Sequence, residues 1–241
     1  MLSALALRDV ITRFGTGLFS VAVTAGWPIV HAGIIFGAYY FMNVGALYGT
    51  NSFYWVLSGA LPFVIFIYPL RWVGTSIQQG QALLSFPAVK SIDLIVGRVI
   101  SEFALMAVSV ISLFCFVGAI SGYIEIANFS SLISAIFATF YYGISFGVII
   151  APIMAVFPFA FLIIIFVQIT SWASSGVLFL PDSIPDPFHY YLSFNPLIHG
   201  VEWFRVGLFE DYHSNMLDRS YLISVSSFML ALGLLFDRFR R

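Results

Sequence analysis

Long apolar runs separated by short polar segments form the dominant pattern along this chain. A helix needs about 20 consecutive apolar residues to cross a bilayer, and six of the runs reach that length. Runs such as FAFLIIIFV do not alternate between apolar and polar positions, as the strands of a membrane β-barrel do. The pattern therefore predicts an all-α integral membrane protein with six transmembrane helices, at about 18–42, 52–72, 97–120, 131–154, 158–180 and 220–237.

Three segments outside these runs combine polar and apolar residues. Residues 1–16 carry apolar side chains at helical spacing, which predicts an N-terminal amphipathic helix lying along the membrane interface. Residues 73–96 include the stretch QQGQALLSFP, which predicts a short helix that ends at Pro87. Residues 181–219 are too polar to cross the membrane and too apolar to form a free loop.

The composition agrees with a surface that faces lipid. The chain of 241 residues is 61% hydrophobic and only 9% charged, whereas soluble domains are about 25% charged. Its net charge of −1 gives no basic field that would attract nucleic acid. The single cysteine, Cys115, makes no internal disulfide and no zinc site.

Lysine and arginine side chains favour the cytoplasmic side of a membrane, so their positions predict the orientation of the helices. With the N-terminus inside, only Arg205 and Arg219 fall outside. Both termini are therefore predicted to be cytoplasmic, and residues 181–219 to lie on the outer side, between the fifth and sixth spans. The residues on the predicted cytoplasmic side are Arg8, Arg13, Arg71, Lys90, Arg98, Arg238, Arg240 and Arg241.

The stretch SFNPLIHGVEWFRVGLF brings polar side chains together just before the last span. Asn195 is suited to cap the N-terminus of a helix, and Pro196 to occupy its first turn. A helix that starts there places His199, Glu202 and Arg205 near one face. The last two of these can form an ion pair.

Two chemical roles and one structural role are open for this helix. As a catalytic site, His199 would be the base and Glu202 its orienting partner, but no serine or cysteine nucleophile lies beside them in an obvious elbow. As a metal site, these two residues would need a third ligand from His189 or His213. The residue types favour a structural helix instead, with its apolar side chains toward lipid or protein. These side chains are Leu197, Val201, Phe204 and Leu208.

Small and aromatic residues predict how the spans pack. The GxxxG pairs Gly33/Gly37 and Gly143/Gly147 lie well inside spans, where this spacing lets two helix backbones approach closely. Aromatic residues near the ends of spans predict belts at the membrane interface. Examples are Tyr39, Tyr40, Tyr54 and Trp55.

Polar residues in the spans need a partner, because burial in lipid is costly. Arg71, Arg98 and Glu102 are predicted to snorkel to the cytoplasmic surface, or the last two to pair with each other. His31 and Gln168 are the deepest polar groups of the first and fifth spans. Each is predicted to bond a neighbouring helix.

The chain lacks the sequence that binds nucleotide phosphates in the common ATPases. A phosphate loop needs GxxxxGK[ST], and the only lysine, Lys90, follows Val89 where the pattern has glycine. If this protein uses ATP, a separate chain must supply the ATP site.

Several short elements, in this order on six spans, resemble the membrane subunit of ABC-2 type polysaccharide exporters, especially the capsular polysaccharide permeases of Gram-negative bacteria. The resemblance covers nearly the whole chain, and its most specific element is FNPLIHGVEWFRVGLF. The elements are RDVITRFG (8–15), Trp27-Pro28, LSGALPFVIF (57–66), LLSFPAV (83–89) and FNPLIHGVEWFRVGLF (194–209).

The resemblance implies one ABC-2 type transmembrane domain, 1–241, in the bacterial inner membrane. It implies a transport subunit rather than an enzyme, which moves capsular or related lipid-linked polysaccharide to the periplasm. Two copies of the chain would form a pore with two copies of a nucleotide-binding ATPase, which would hold ATP and Mg. No cofactor is expected in this chain itself. Periplasmic and outer-membrane export proteins are the further partners that the resemblance implies.

The resemblance also implies a role for each polar segment. In the cytoplasmic loop, the residues expected to contact the ATPase are Gln78, Gln79, Gln81, Leu83, Leu84, Phe86 and Pro87. In the amphipathic helix, the expected interface residues are Arg8, Arg13 and Phe14. Residues 181–209 would form short re-entrant helices at the outer mouth, within a periplasmic gate region that spans 181–219. Its expected residues are Asn195, Pro196, His199, Glu202, Trp203 and Arg205.

Three alternatives stay open at this point. The first is an ABC-2 permease for another cargo, such as teichoic acid, a drug or a lipid. The second is a membrane acyl- or glycosyl-transferase that uses His199 and Glu202. The third is an ion-coupled transporter, which would be expected to bury more carboxylates deep in its spans than this chain shows.

Overall fold

The computed structural model describes residues 18–41, 47–48, 51–124 and 126–240, and all regular structure in these ranges is helical. The prediction of an all-α protein is therefore confirmed. The amphipathic segment 1–16, with Arg8, Arg13 and Phe14, lies outside the described residues. The helices are α1 Leu18–Phe41, α2 Ser52–Gly74, α3 Ser76–Gln79, α4 Ser91–Ser121, α5 Phe129–Val156, α6 Phe161–Ser174, α7 Phe188–Leu192, α8 Pro196–Leu208 and α9 Arg219–Arg240, with 3-10 turns at Gln81–Ser85, Pro158–Ala160 and Pro181–Ser183.

Four of these helices, α2, α4, α5 and α9, are long and apolar enough to cross a membrane. The predicted first span falls on α1, a helix of 24 residues. The predicted fifth span falls on α6, which is apolar but has only 14 residues. The helices thus coincide with the predicted runs, while the count of six spans stays a prediction.

The centre of the protein is α2, which is buried along most of its length and packs against α5. A Cβ atom added at Gly143 would lie 2.5 Å from the carbonyl oxygen of Phe66, and one at Gly147 would lie 2.8 Å from Cβ of Val73. The predicted close contact at this GxxxG pair is therefore confirmed. A Cβ added at Gly33 or Gly37 would meet no atom within 4 Å in the described part of the chain.

Hydrogen bonds show which helix ends lie together. Ser91, at the start of α4, bonds to Asp237 near the end of α9. At the opposite end of the bundle, the amide of Asn128 before α5 donates to the carbonyl of Gly207 near the end of α8. The loop between α2 and α4 and the C-terminal turn of α9 therefore lie at the same end of the helix bundle, which we call the α3 end. The region containing α8 occupies the other, which we call the α8 end.

The short helix predicted in the stretch QQGQALLSFP is not continuous. The chain forms one α turn, Ser76–Gln79, and one 3-10 turn, Gln81–Ser85, which meet at Gly80. A Cβ atom at Gly80 would lie 2.6 Å from Cδ1 of Leu94. The chain therefore changes from one helical turn to the other at a residue that lies close to α4.

One prediction about aromatic side chains and one of the two alternatives predicted for Arg98 are also wrong. Tyr39, Tyr54 and Trp55 do not form an interfacial belt, because all three are buried in protein. Arg98 does not snorkel, because it is buried and donates to Oε1 of Gln79 at 2.9 Å. Hydropathy alone does not distinguish burial in lipid from burial in protein, which accounts for both errors.

Candidate functional site

The helix α8 begins as its sequence predicts. The side-chain oxygen of Asn195 accepts a hydrogen bond from the amide of Leu197 at 3.0 Å, and Pro196 occupies the first turn. The amide nitrogen of the Asn195 side chain donates to Oγ of Ser174 at 2.9 Å. This capping residue therefore also ties the start of α8 to the end of α6.

Glycines on α8 let it pack closely against α5. A Cβ atom at Gly200 would lie 2.5 Å from Oγ1 of Thr139, and one at Gly207 would lie 2.6 Å from the backbone nitrogen of Leu132. The apolar residues of the helix face protein rather than lipid. All four predicted apolar positions, Leu197, Val201, Phe204 and Leu208, are completely buried.

A charged pair lies inside this packing. Nη1 of Arg205 lies 2.8 Å from Oε1 of Glu202, and both side chains are completely buried. The hydroxyl of Tyr212 donates to the other carboxylate oxygen at 2.9 Å. Burial raises the pKa of Tyr212, so its hydroxyl stays protonated and available as a donor. The predicted pairing of Glu202 with Arg205 is confirmed.

Groups from other elements accept hydrogen bonds from the Arg205 guanidinium and pack against its flat face. Its Nε donates to Oγ of Ser58 at 3.3 Å, and its Nη2 donates to the carbonyl of Gly176 at 2.6 Å. The guanidinium carbon lies 3.9 Å from the ring centre of Trp55. A buried charge needs such a set of partners, because desolvation otherwise costs several kcal/mol.

The carbonyl of Gly176 needs a donor because the chain leaves the helix there. The predicted span 158–180 is wrong at its C-terminal end, since α6 ends at Ser174. Gly176 adopts φ of +75°, in the left-handed region that favours glycine. The next carbonyl, of Val177, accepts from the Tyr39 hydroxyl at 3.2 Å. Non-helical backbone at membrane depth is stable only where protein groups satisfy it.

These residues form one centre, which we call the Arg205 cluster. The Tyr39 hydroxyl also accepts from Nε1 of Trp55 at 3.2 Å, which closes the network. The cluster joins α1, α2, α8 and the broken end of α6 at the α8 end of the bundle. Its members are Tyr39, Trp55, Ser58, Gly176, Val177, Glu202, Arg205 and Tyr212.

His199 belongs to a separate set of contacts. Its Nδ1 accepts from the backbone amide of Asp218 at 3.0 Å, which assigns the proton to Nε2, and Nε2 donates to the carbonyl of Ser193 at 2.8 Å. Its ring packs edge-on against Tyr221, with ring centres 5.1 Å apart. Both nitrogens hold backbone in place, and the oxygens of Glu202 are bonded elsewhere. The geometry therefore does not assemble the catalytic pair.

Replacing His199 by glutamine is expected to keep most of the activity of the protein, because the amide can donate to one backbone group and accept from the other. His199→Phe fills a similar volume and bonds to neither group, so it is expected to lower thermal stability by several degrees. Thermal unfolding of both variants in detergent measures this difference. Loss of nearly all activity in a stably folded His199→Gln protein would support the transferase alternative instead.

The other expected gate residue, Trp203, lies on a different face of α8. Its Nε1 donates to Oγ of Ser131 at 3.1 Å, and the guanidinium of Arg219 lies 5.1 Å from its ring centre. The expected gate residues are thus brought together on one helix, but only Glu202 and Arg205 share a site.

The expected coupling residues lie at the α3 end, on the opposite side of the bundle. Phe86 is 59% exposed, and Pro87 beside it is also exposed. Leu84 packs against a small core that contains Val73 and Ile77. The other expected coupling residues differ in exposure. The half-buried ones are Gln78, Leu83 and Leu84, and the exposed ones are Gln79, Gln81 and Pro87.

The two deep polar residues of the first and fifth spans face one shared groove. His31 of α1 and Gln168 of α6 line an open groove of about 430 Å³, with Trp172 and Phe63. The ring of His31 lies 5.5 Å from that of Phe63, centre to centre. Sequence reasoning identified both polar residues but did not predict that they face the same space.

The helices and the buried polar cluster define a multi-span, all-helical integral membrane protein. Over nearly its whole length, this chain is homologous to inner-membrane proteins of capsule polysaccharide export. It is 28% identical over 238 residues to the polysialic acid transport protein KpsM of Escherichia coli, covering 98% of this chain and 92% of that protein. It is 24% identical over 239 residues to the capsule polysaccharide export inner-membrane protein CtrC of Neisseria meningitidis, covering 97% of this chain and 88% of that protein. No protein-family model matches the chain.

Proposed function

We propose that this chain is the membrane-spanning permease subunit of an ATP-driven exporter. It moves capsular or related lipid-linked polysaccharide across the bacterial inner membrane to the periplasm. The observation that carries this proposal is its homology to KpsM and CtrC from end to end. The alignments cover 92% of KpsM and 88% of CtrC, so nearly all of each relative has its counterpart here.

The proposed topology has six spans with both termini in the cytoplasm. The grouping of helix ends supports it, because the loop after α2 and the last turn of α9 lie at the same end. That end carries Arg71, Lys90 and Arg238, whereas Arg219 lies at the α8 end. This distribution follows the preference of basic residues for the cytoplasmic side.

The loop at the α3 end is the proposed contact with a separate ATPase subunit. An aromatic side chain exposed beside proline, on a loop held against α4, suits insertion into a cleft of a partner protein. ATP and Mg would be bound in that partner, since the phosphate-loop pattern is missing from this sequence.

The Arg205 cluster is proposed to fix the outer gate. It holds the broken end of α6 to α2 and α8 through the guanidinium of one residue. A gate needs a resting position that is defined by packing. A movement elsewhere in the protein then displaces the whole gate as one rigid body. The exposed helix α7, between α6 and α8, then forms the outer edge of this gate.

The groove lined by His31 and Gln168 is proposed to be one wall of the transport route. Polar side chains that face hydrocarbon are costly, so they favour a space that holds water or a polar chain. The groove is open and is lined by residues of α1, α2 and α6. A second copy of the chain would close it, which is why we propose a homodimer.

Affinity purification of the tagged chain from its native membrane tests the proposal. We expect a stoichiometric partner that carries a phosphate-binding loop. Phe86→Asp is expected to reduce the recovered partner at least tenfold, because a carboxylate replaces the exposed aromatic side chain that we propose as the anchor of the contact. Phe188→Asp, at the α8 end with similar exposure of 63%, is the matched control and is expected to leave recovery unchanged. Active preparations that consistently lack any ATPase would contradict the proposal.

A further inference from the structure

A buried carboxylate near the C-terminal end of the chain has no role in the function proposed so far. Asp237 is only 2% exposed, although it lies in the last turn of α9. Both its carboxylate oxygens face the hydroxyl of Ser91, at 2.6 and 2.8 Å, so one proton is shared between them. Arg240 lies 3.4 Å from one of these oxygens.

The position of Asp237 is unfavourable for its own helix. The last turn of a helix carries a partial negative charge, which repels a carboxylate. The same carboxylate lies against Ser91, the first residue of α4, where the partial charge is positive and favours it. The carboxylate is therefore stabilised by a contact between two helices, in addition to Arg240 on α9.

Ser91 is also the point where the exposed loop returns to the bundle. Lys90 occupies the N-cap position of α4, and its backbone amide donates to Oδ2 of Asp93 at 2.8 Å, which fixes the first turn. The front of the same loop is fixed separately, by the hydrogen bond from Arg98 to Gln79. The segment carrying Phe86 is thus held by α4 at both ends, and its second end is also held by α9.

From Asp237, close packing continues to the α8 end. A Cβ atom at Gly233, one turn earlier on α9, would lie 2.6 Å from the backbone of α5 at Val148. The same α5 packs on the backbone of α8 at Gly207. Contacts that leave no room for a methyl group transmit a displacement with little loss, because the packed backbones have no gap to close.

We propose that Asp237 is a positioning residue for energy coupling: its bond to Ser91 makes the last helix move with the ATPase-contacting loop. This inference rests on the proposed function, since it requires an ATPase that acts on that loop. When the loop is displaced, α9 follows through Asp237 and shifts α5, and with it α8. Without the bond, the loop and α4 move while α9 stays in place.

The experiment measures export per ATP hydrolysed in the intact complex. Inverted membrane vesicles containing the full chain and its ATPase partner take up the radiolabelled capsular polysaccharide of the producing strain, and ATP hydrolysis is measured in parallel. Asp237→Leu, which removes the acceptor, and Ser91→Ala, which removes the donor, are expected to lower export per ATP on the order of tenfold, within the range of typical coupling between sites. The amount of assembled complex is expected to stay the same.

Two further variants separate coupling from simple stability. Arg238→Gln changes an exposed charge on the same turn of α9 and is expected to leave the ratio unchanged. The exchange Ser91→Asp with Asp237→Ser restores a hydroxyl–carboxylate pair and is expected to recover most of the coupling. A structural role would not change export per ATP in complexes that remain assembled.

The inference is overturned if Asp237→Leu and Ser91→Ala hydrolyse ATP and export polysaccharide in the wild-type ratio. It is also overturned if export falls only in proportion to the amount of complex, or if the exchange fails to recover the ratio. Failure of the proposed function has a different signature, since the wild-type vesicles themselves would then show no ATP-driven uptake.

Discussion

Replacing Arg205 by alanine is expected to lower the free energy of unfolding by about 3–5 kcal/mol, because the Glu202 carboxylate is then buried without its charged partner. The carbonyl of Gly176 also loses its donor, at a place where the chain is not helical. Arg205→Lys is expected to rescue little of this loss. An ammonium group cannot reach three partners with the planar geometry of a guanidinium, nor stack on Trp55 in the same way.

Thermal unfolding of the purified protein in detergent measures this effect. Arg219→Ala is the matched control, since Arg219 is an exposed arginine at the same end of the bundle that lies over Trp203. It is expected to change the free energy of unfolding by less than about 1 kcal/mol. The double replacement Arg205→Met with Glu202→Leu removes both charges and is expected to recover a large part of the loss. Equal effects of Arg205→Ala and Arg219→Ala would contradict this description of the cluster.

Gly143→Ala is expected to destabilise the protein by about 1–3 kcal/mol, the usual cost of adding volume to a packed interior. The new methyl group would lie 2.5 Å from the carbonyl oxygen of Phe66, and a backbone atom cannot rotate away as a side chain can. The helices α2 and α5 must then separate along the centre of the bundle. Gly143→Leu is expected to prevent folding altogether.

Gly33→Ala provides a control with the same GxxxG spacing in another helix. A methyl group there would meet no described atom within 4 Å, so the stability of the single subunit is expected to change by less than about 0.5 kcal/mol. Thermal unfolding of the two alanine variants under identical detergent conditions compares them directly. Similar losses at Gly33 and Gly143 would show that the observed packing of α2 on α5 does not determine stability.

Local sequence rules predicted the features that depend on neighbouring residues. The cap at Asn195 and the proline after it fixed the start of α8, and the spacing of Glu202 and Arg205 by three residues predicted their ion pair. The spacing of Gly143 and Gly147 by four residues correctly predicted a close contact between two helices. In each case the partners or the relevant spacing lie within about one or two helical turns.

The rest of the Arg205 cluster depends on contacts between distant parts of the chain. Ser58 is separated from Arg205 by 147 residues in sequence, and Gly176 by 29. No spacing rule relates these positions, so the sequence predicted an interfacial role for Trp55 and a continuous fifth span through 158–180. One signal was available, since the Ser175-Gly176 pair is a dipeptide that favours a turn and thus a break in the helix.

ATP-dependent uptake of radiolabelled capsular polysaccharide into inverted membrane vesicles is the most direct test of the proposed permease. Uptake is expected to require both this chain and its ATPase partner, and to stop when a non-hydrolysable ATP analogue replaces ATP. It is expected to continue when an uncoupler collapses the ion gradients. Uptake that stops with the uncoupler while ATP remains, or that continues without hydrolysable ATP, would contradict the assignment of this chain to an ATP-driven exporter.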